Sequence, residues 1–148
     1  KNFDKVVKDS SQLGVSSLSS LITERTKHRV TKKVKFERWQ LISASSCEQS
    51  GLNWLPKISQ KNLKDWLDES KSKNRFFLDP RADFYIGNIK RFSSIDIAMG
   101  PEGGFSSKEE DLFKKYNFIG INCGNLVIKT ESMPIVLLSM LKVLSEAN

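Results

Sequence analysis

The sequence predicts an α/β fold in which a mostly parallel sheet is flanked by helices. Short apolar runs typical of strands alternate with segments of helical periodicity along the chain, a pattern typical of parallel α/β domains. No internal repeat or low-complexity tract interrupts this order. A length of 148 residues is enough for one domain with its own core, so we expect residues 1–148 to form a single domain.

The first half of the chain predicts three helices and one strand. Apolar spacing predicts a helix over 4–13 that ends at Gly14, followed by a strand over 15–22. Phe36, Trp39 and Cys47 share one face of a predicted helix over 36–50. Ser59 is the expected N-cap of a further helix over 60–69.

The second half predicts three strands and two helices. We expect strands over 75–79, 94–99 and 118–122, with a polar loop over 81–91. Ser106 and Glu109 have the spacing of a capping box, which starts a helix over 107–116. The last predicted helix, 131–145, is apolar nearly all round, so it needs cover on more than one side. That cover is either a second subunit or the rest of a monomer.

Charge and composition limit the classes of partner and the kinds of site that we expect for this protein. The net charge of +7 is concentrated in a basic run over 25–38, which we expect to be a surface loop up to Lys35. This run favours a nucleic-acid partner, and its alternative is a solvated loop. His28 and the two distant cysteines, Cys47 and Cys123, match no metal spacing and no Ser-His-Asp set, and we expect free thiols in a reducing, cytoplasmic setting.

The segment 98–106 contains three glycines, Pro101 and Glu102 between a predicted strand and the capped helix. Such a turn at a strand end is a common ligand site in α/β proteins. Its alternative is a tight connection without a ligand.

Several motifs occur in the order found in one family. The sequence Gly100-Pro101-Glu102-Gly103-Gly104-Phe105-Ser106 resembles the signature of the ribosomal RNA (uracil-N3)-methyltransferases of the SPOUT superfamily. Four further motifs of that family are resembled by 12–15, by Arg38-Trp39 followed by 47–51, by 78–82 and by 123–132.

The resemblance implies a SPOUT-type α/β fold with a C-terminal trefoil knot that forms the pocket for S-adenosylmethionine. It implies a homodimer through the last helix, ribosomal RNA or the small ribosomal subunit as substrate, and transfer of a methyl group to uridine N3. It also implies an N-terminal PUA-like RNA-binding barrel, for which this sequence shows no counterpart.

The cofactor pocket implied by the family is built from three loops. The residues are Leu78, Asp79, Pro80, Met99, Gly100, Glu102, Gly103, Asn122, Cys123, Gly124, Val127 and Ile128. Glu102 has three alternative roles: holding the ribose, accepting from the amino group of the cofactor, or capping the following helix.

The candidate catalytic residues lie in the segment after the last predicted strand. Glu131 is the candidate for proton removal, and its alternative is a charge at the start of the last helix. Lys129 is a candidate for stabilising the developing anion or a phosphate. The expected RNA-binding residues are Arg25, Lys27, Arg29, Arg38 and Arg81.

Departures from the family pattern keep a second function open. Leu52 and Leu126 stand where the family has arginine, and Gln12 stands where it has glutamate. A leucine cannot replace a guanidinium, so a weakly active or inactive RNA-binding or ribosome-assembly module is the alternative. A nucleotide-phosphate enzyme is disfavoured, because the glycine segment lacks the lysine of a P-loop.

Overall fold

A computed structural model describes residues 2–26, 33–125 and 127–146. Its elements, in chain order, are α1 (Asn2–Gln12), β1 (Ser17–Ile22), α2 (Lys33–Gln49), β2 (Lys57–Asn62), α3 (Leu63–Glu69), β3 (Asn74–Leu78), a 3₁₀ turn (Ile86–Asn88), β4 (Ile95–Ala98), α4 (Ser107–Lys115), β5 (Ile119–Ile121) and α5 (Met133–Glu146).

The described strands form two parallel sheets. One contains β1 and β2, and the other has the order β4-β3-β5 with β3 in the centre. The prediction of a mostly parallel α/β fold is therefore confirmed, although the strands are divided between two sheets.

The core lies on both faces of β3. Phe76 and Phe77 point to opposite sides of the sheet, as alternation along a strand requires, and each joins a different buried cluster. Phe77 stacks on Phe113 of α4 at 4.7 Å between ring centroids, and Phe105 packs edge-on against the same ring. On the other face, Leu137 and Leu141 of α5 pack with Phe76 and Ile121. Helix α4, the glycine segment and β3 thus share one apolar core.

Helix α2 packs on α1 through a buried indole. Trp39 is buried between Phe3 and Phe36, at 4.5 and 5.2 Å between ring centroids. Its Nε1–H donates to Asp4 Oδ1 at 3.1 Å, which satisfies the polar end of the ring. The sequence predicts that the basic run is a loop up to Lys35. This prediction is wrong for its last residues, because α2 begins at Lys33.

The predicted start of the third helix is wrong. Ser59 is not an N-cap but lies within β2, paired with Ser19 of β1, and their hydroxyls are 3.0 Å apart. The helix begins three residues later than predicted, where Asn62 Oδ1 accepts from the Asp65 amide at 2.8 Å. Parallel pairing with β1 holds 57–62 in a strand, a long-range effect that local propensity does not contain.

Candidate active site

The three predicted cofactor loops meet at one edge of a sheet. Strands β4, β3 and β5 are parallel neighbours, so their carboxyl ends lie side by side. The segments that follow them begin at Met99, Asp79 and Asn122, respectively. The Asp79 amide donates to the Ile121 carbonyl at 2.9 Å, which joins the β3 loop to the end of β5. Parallel topology therefore brings together segments that are distant in sequence.

The glycine loop (100–105) is a compact turn. The Gly104 amide donates to the Pro101 carbonyl at 2.8 Å, and Gly104 has φ +69°, a left-handed conformation that favours glycine. A side chain at Gly100 would have its Cβ 3.2 Å from the Gly104 carbonyl carbon, so the two ends of the loop touch through their backbones. Met99 and Gly100 are half-buried, whereas Glu102 and Gly103 are exposed.

The predicted capping box is confirmed and has a further partner. Ser106 Oγ accepts from the Glu109 amide at 3.2 Å, and Glu109 Oε2 accepts from the Ser106 amide at 2.9 Å. Glu109 Oε1 also accepts from the amide of Glu24, in the segment after β1, at 2.8 Å. The carboxylate is buried, so α4 fixes that segment beside the glycine loop.

Arg25 lies against the glycine loop. Its Nη1 donates to the carbonyl oxygen of Gly103, and it is 3.4 Å from the carbonyl oxygen of Phe105. The sequence predicted an RNA-phosphate contact for Arg25 and gave no sign of this one. The capping-box motif identified Glu109 in the sequence, but it did not indicate that Glu109 is hydrogen-bonded to the segment that contains Arg25.

The β3 loop is held by charged side chains. Asp79 Oδ1 accepts from the Arg81 amide at 3.0 Å and from Arg81 Nε at 3.2 Å, and Arg81 also pairs with Glu110 of α4. The hydrogen bond with Asp79 raises the pKa of Arg81 above its ordinary value. Leu78 is half-buried and Pro80 is exposed. The Asp79 carboxylate is thus already paired with a cation.

Asn122 fixes the segment after β5. Its Nδ2 donates to the carbonyls of Ala82 at 2.7 Å and Phe84 at 3.3 Å, and its Oδ1 accepts from the Gly124 amide at 3.1 Å. The side chain therefore shapes the loop by hydrogen bonds within the protein, so a ligand would meet this loop mainly through its backbone.

The rest of this segment contains further candidate cofactor residues, whose side chains differ in exposure. Burial raises the pKa of the Cys123 thiol to about 11, so the group is protonated at neutral pH. Ile128 is half-buried, whereas the side chain of Val127 is fully exposed. Leu126 lies outside the described residues.

Lys129 and Glu131 precede the last helix. The prediction that Glu131 lies in the first turn of that helix is wrong, because α5 begins at Met133. The Lys129 carbonyl accepts from the amides of Ser132 at 2.9 Å and Met133 at 3.0 Å, which closes the turn before the helix. The Lys129 side chain is exposed and the Glu131 side chain is half-buried.

A cavity of about 700 Å³ extends from the glycine loop between β1 and β4. Met99, Gly100, Pro101 and Thr130 line one part of it, so the glycine loop and the segment before α5 face the same space. The other candidate cofactor residues do not line this cavity. A second cleft, of about 460 Å³, lies at the junction of β2 and α3 and is lined by none of the candidate residues.

Two of the candidate RNA-binding residues are already paired with carboxylates. Arg38, on α2, pairs with Asp4 at 3.0 Å, and Arg81 pairs with Asp79 and Glu110. Lys27 and Arg29 lie outside the described residues. In the described ranges, no group of His, Cys, Asp and Glu side chains is arranged to hold a metal ion, and no helix is long and apolar enough to cross a membrane.

Known proteins match nearly the whole of this chain. A family model described as the RNA methyltransferase domain matches residues 1–142. The ribosomal RNA small subunit methyltransferase E of Helicobacter pylori is 32% identical over 150 residues, which cover 97% of this chain and 62% of the relative. The chain spans between 50% and 63% of the length of the curated relatives it matches.

Two solved structures combine similar folds with a bound cofactor. A structure from Legionella pneumophila, described as a methyltransferase in complex with the bound cofactor SAM, matches with a TM-score of 0.91 and 29% identity. The ribosomal RNA small subunit methyltransferase E of Neisseria gonorrhoeae, bound to S-adenosyl methionine, matches with a TM-score of 0.87 and 29% identity. In both cases the match covers 97% of this chain and 61% of the other. Because the family model spans nearly the whole sequence, and the fold agrees with these structures, the chain belongs to the family of RNA methyltransferase domains.

Proposed function

We propose that residues 1–148 form the catalytic domain of an S-adenosylmethionine-dependent methyltransferase that acts on N3 of a uridine in small-subunit ribosomal RNA. The observation that carries this proposal is the convergence of three motif-bearing loops at the carboxyl edge of β4, β3 and β5. The names of the relatives support ribosomal RNA as the substrate class. The choice of uridine N3 rests on the resemblance of five motifs, in order, to those of the uracil-N3 methyltransferases.

The residues at this edge fit S-adenosylmethionine. Leu78, Met99, Cys123 and Ile128 are half-buried, and they offer an apolar surface of the kind that an adenine ring needs. Backbone groups of the glycine loop and of 122–124 are available for the polar parts. Glu102 is an exposed carboxylate that can accept from a ribose hydroxyl or an ammonium group. When bound, the cofactor supplies a methyl group activated by a positively charged sulfur.

The proposed reaction replaces the N3 proton of uracil with this methyl group. Uracil N3 faces the opposite base in a helix, so the target base is unpaired or flipped out. Glu131 accepts the departing N3 proton, and Lys129 stabilises the negative charge that develops on the ring or binds a neighbouring phosphate. Both residues lie in the segment that follows the last strand of the site.

The basic run supplies RNA affinity. Lys27, Arg29 and Arg38 contact phosphates, with Arg81 at the edge of the site, where a phosphate competes with Asp79 and Glu110. Such binding releases counterions, so we expect RNA affinity to fall steeply with salt concentration. Affinity that is independent of salt would contradict this interface.

We also propose the knot, the dimer and the location that the family implies. The Asn122 side chain donates hydrogen bonds to the carbonyls of Ala82 and Phe84, and its backbone forms a parallel bridge with Tyr85. These contacts hold the chain after β5 against 82–86, which supports a knot in which that chain passes through a loop. A crystal structure that traces 120–146 outside any closed loop would refute the knot.

Val143 of α5 is 64% exposed, which suits a homodimer through this helix, and sedimentation as a monomer would refute the dimer. Co-fractionation with ribosomal subunits tests a cytoplasmic location.

The first test is calorimetry with S-adenosylmethionine on the folded chain, and absence of binding would refute the proposal. The second uses the full-length protein with small ribosomal subunits, and detects N3-methyluridine by mass spectrometry. We expect Glu131→Gln to lower the rate of methylation by about 100-fold while leaving cofactor affinity unchanged. Glu69→Gln, which changes an exposed carboxylate at the end of α3 outside all the motifs, is the control.

The pair of assays also separates the two candidate functions. Cofactor binding without any methyl transfer to RNA or subunits would favour the non-catalytic RNA-binding module, which Leu52 and Leu126 motivate. Methylation of a position other than uridine N3 would keep the enzyme and overturn the proposed specificity.

A further inference from the structure

A closed ring of hydrogen bonds surrounds the end of the glycine loop. It runs from the Arg25 guanidinium to the carbonyls of Gly103 and Phe105, through the Ser106 amide to the Glu109 carboxylate, and back to the Glu24 amide. We name this set the Arg25–Glu109 ring. Glu24 and Glu109 are 85 residues apart in sequence, so the ring is closed by a tertiary contact.

The ring fixes two peptide planes of the loop. A peptide unit is planar, with its C=O and N–H pointing in opposite directions. In the unit of Gly103 and Gly104, the carbonyl accepts from Arg25 and the amide donates to Pro101 O at 2.8 Å. In the next fixed unit, the Phe105 carbonyl is 3.4 Å from Arg25 Nη1 and the Ser106 amide donates to Glu109 at 2.9 Å. Each plane is thus held at both ends.

The loop needs such support because of its composition. It has three glycines in six residues, and glycine loses more conformational freedom on ordering than any other residue. A ligand that binds through the loop backbone would bear this ordering cost itself unless the loop is already held in place. The Arg25–Glu109 ring supplies that pre-organisation before any ligand arrives.

The two ends of the ring differ in burial. Glu109 is only 6% exposed and also completes the capping box of α4, so its loss would damage the fold. Arg25 is exposed and contacts the loop from outside. Arg25 is therefore the member of the ring whose removal changes the loop while leaving the core intact.

We propose that Arg25 is a positioning residue that holds the glycine loop in the conformation that binds S-adenosylmethionine. The proposal rests on the proposed function for the identity of the ligand. It assigns Arg25 a role toward the cofactor in place of the phosphate contact that the sequence predicts, and it makes Glu109 the anchor that keeps the Arg25 backbone beside the loop.

The test compares Arg25→Ala, Arg25→Lys and Lys35→Ala. Calorimetry with S-adenosylmethionine in the absence of RNA gives the Kd of each variant. We expect Arg25→Ala to raise the Kd about tenfold, the scale of losing charge-assisted hydrogen bonds that order a loop. Arg25→Lys should restore only part of the affinity, because an ammonium lacks the planar fork of donors of a guanidinium. Lys35→Ala removes the same charge from the basic run but lies on α2, so its Kd should equal that of the wild type.

A second measurement makes the test independent of the cofactor. Hydrogen exchange of the Gly104 and Ser106 amides in the free protein should become faster in Arg25→Ala, with an unchanged Tm. Wild-type cofactor affinity in Arg25→Ala would overturn the inference, as would unchanged exchange at these two amides. If the wild type binds no S-adenosylmethionine, the proposed function fails, and the exchange data still decide whether Arg25 holds the loop.

Discussion

Gly51 and Gly104 form a matched pair that tests whether the glycine loop belongs to the cofactor site. Their φ angles are +70° and +69°, and a Cβ built on either would meet no atom within 4 Å. An alanine therefore introduces the same left-handed strain at both positions without a steric clash. Gly51 follows α2 and lines neither of the two cavities, whereas Gly104 lies in the glycine loop.

The magnitude follows from backbone conformation alone. A non-glycine residue in the left-handed region costs about 1–2 kcal/mol, and loss of freedom in the unfolded chain offsets about 0.4–1 kcal/mol of that. We expect Gly51→Ala to lose about 1 kcal/mol of unfolding free energy, which lowers the Tm by about 3 °C for a chain of this size, and Gly104→Ala to lose no more than this. In Gly104→Ala the free loop can relieve the strain by leaving the left-handed region. Ligand binding must then restore it, which raises the Kd about fivefold.

The assay combines thermal unfolding with calorimetric titration of S-adenosylmethionine. A Tm for Gly104→Ala at or above that of Gly51→Ala, with a raised Kd in Gly104→Ala alone, would support the site. Equal Kd values for the two variants would refute the placement of the cofactor against this loop.

Three further predictions concern the core and the site wall. Replacing Phe113 with leucine should cost about 2 kcal/mol in urea denaturation, since its buried ring contacts three other aromatic rings, and an unchanged midpoint would contradict this packing. Arg75 donates to the carbonyls of Ser72, Tyr116 and Ser70 at 2.7, 3.0 and 3.1 Å, so Arg75→Met should cost about 2–4 kcal/mol, whereas the exposed Arg91→Met should cost almost nothing. Cys123 should react with iodoacetamide at pH 8 about 100-fold more slowly than an ordinary thiol, because its raised pKa leaves about 0.1% thiolate. The raised pKa of this thiol also stabilises the fold below pH 9, and that contribution is lost as the pH rises towards about 11.

Much of the fold is encoded locally. The spacing of Ser106 and Glu109 predicted the start of α4 at the residue where the structure begins it. The apolar run that contains Phe76 and Phe77 predicted β3 to within a residue at each end. The sequence predicts an N-cap at Ser59, whereas the residue lies in β2: a serine suits both positions, and pairing with β1 decides between them.

The sequence by itself determined the alternation of strands and helices and the three loops that follow β3, β4 and β5, because strand ends, glycine turns and caps are properties of short segments. The tertiary structure decided which charged groups those loops retain for a ligand. Arg81 is already bound by Asp79 and Glu110, and Arg25 is bonded to the glycine loop instead of being free for a phosphate. The pair of Arg81 with Asp79 is local, but the contacts of Arg81 with Glu110 and of Arg25 with Gly103 join residues far apart in the chain. Only the packing of α4 against β3 and the segment after β1 could fix those two contacts.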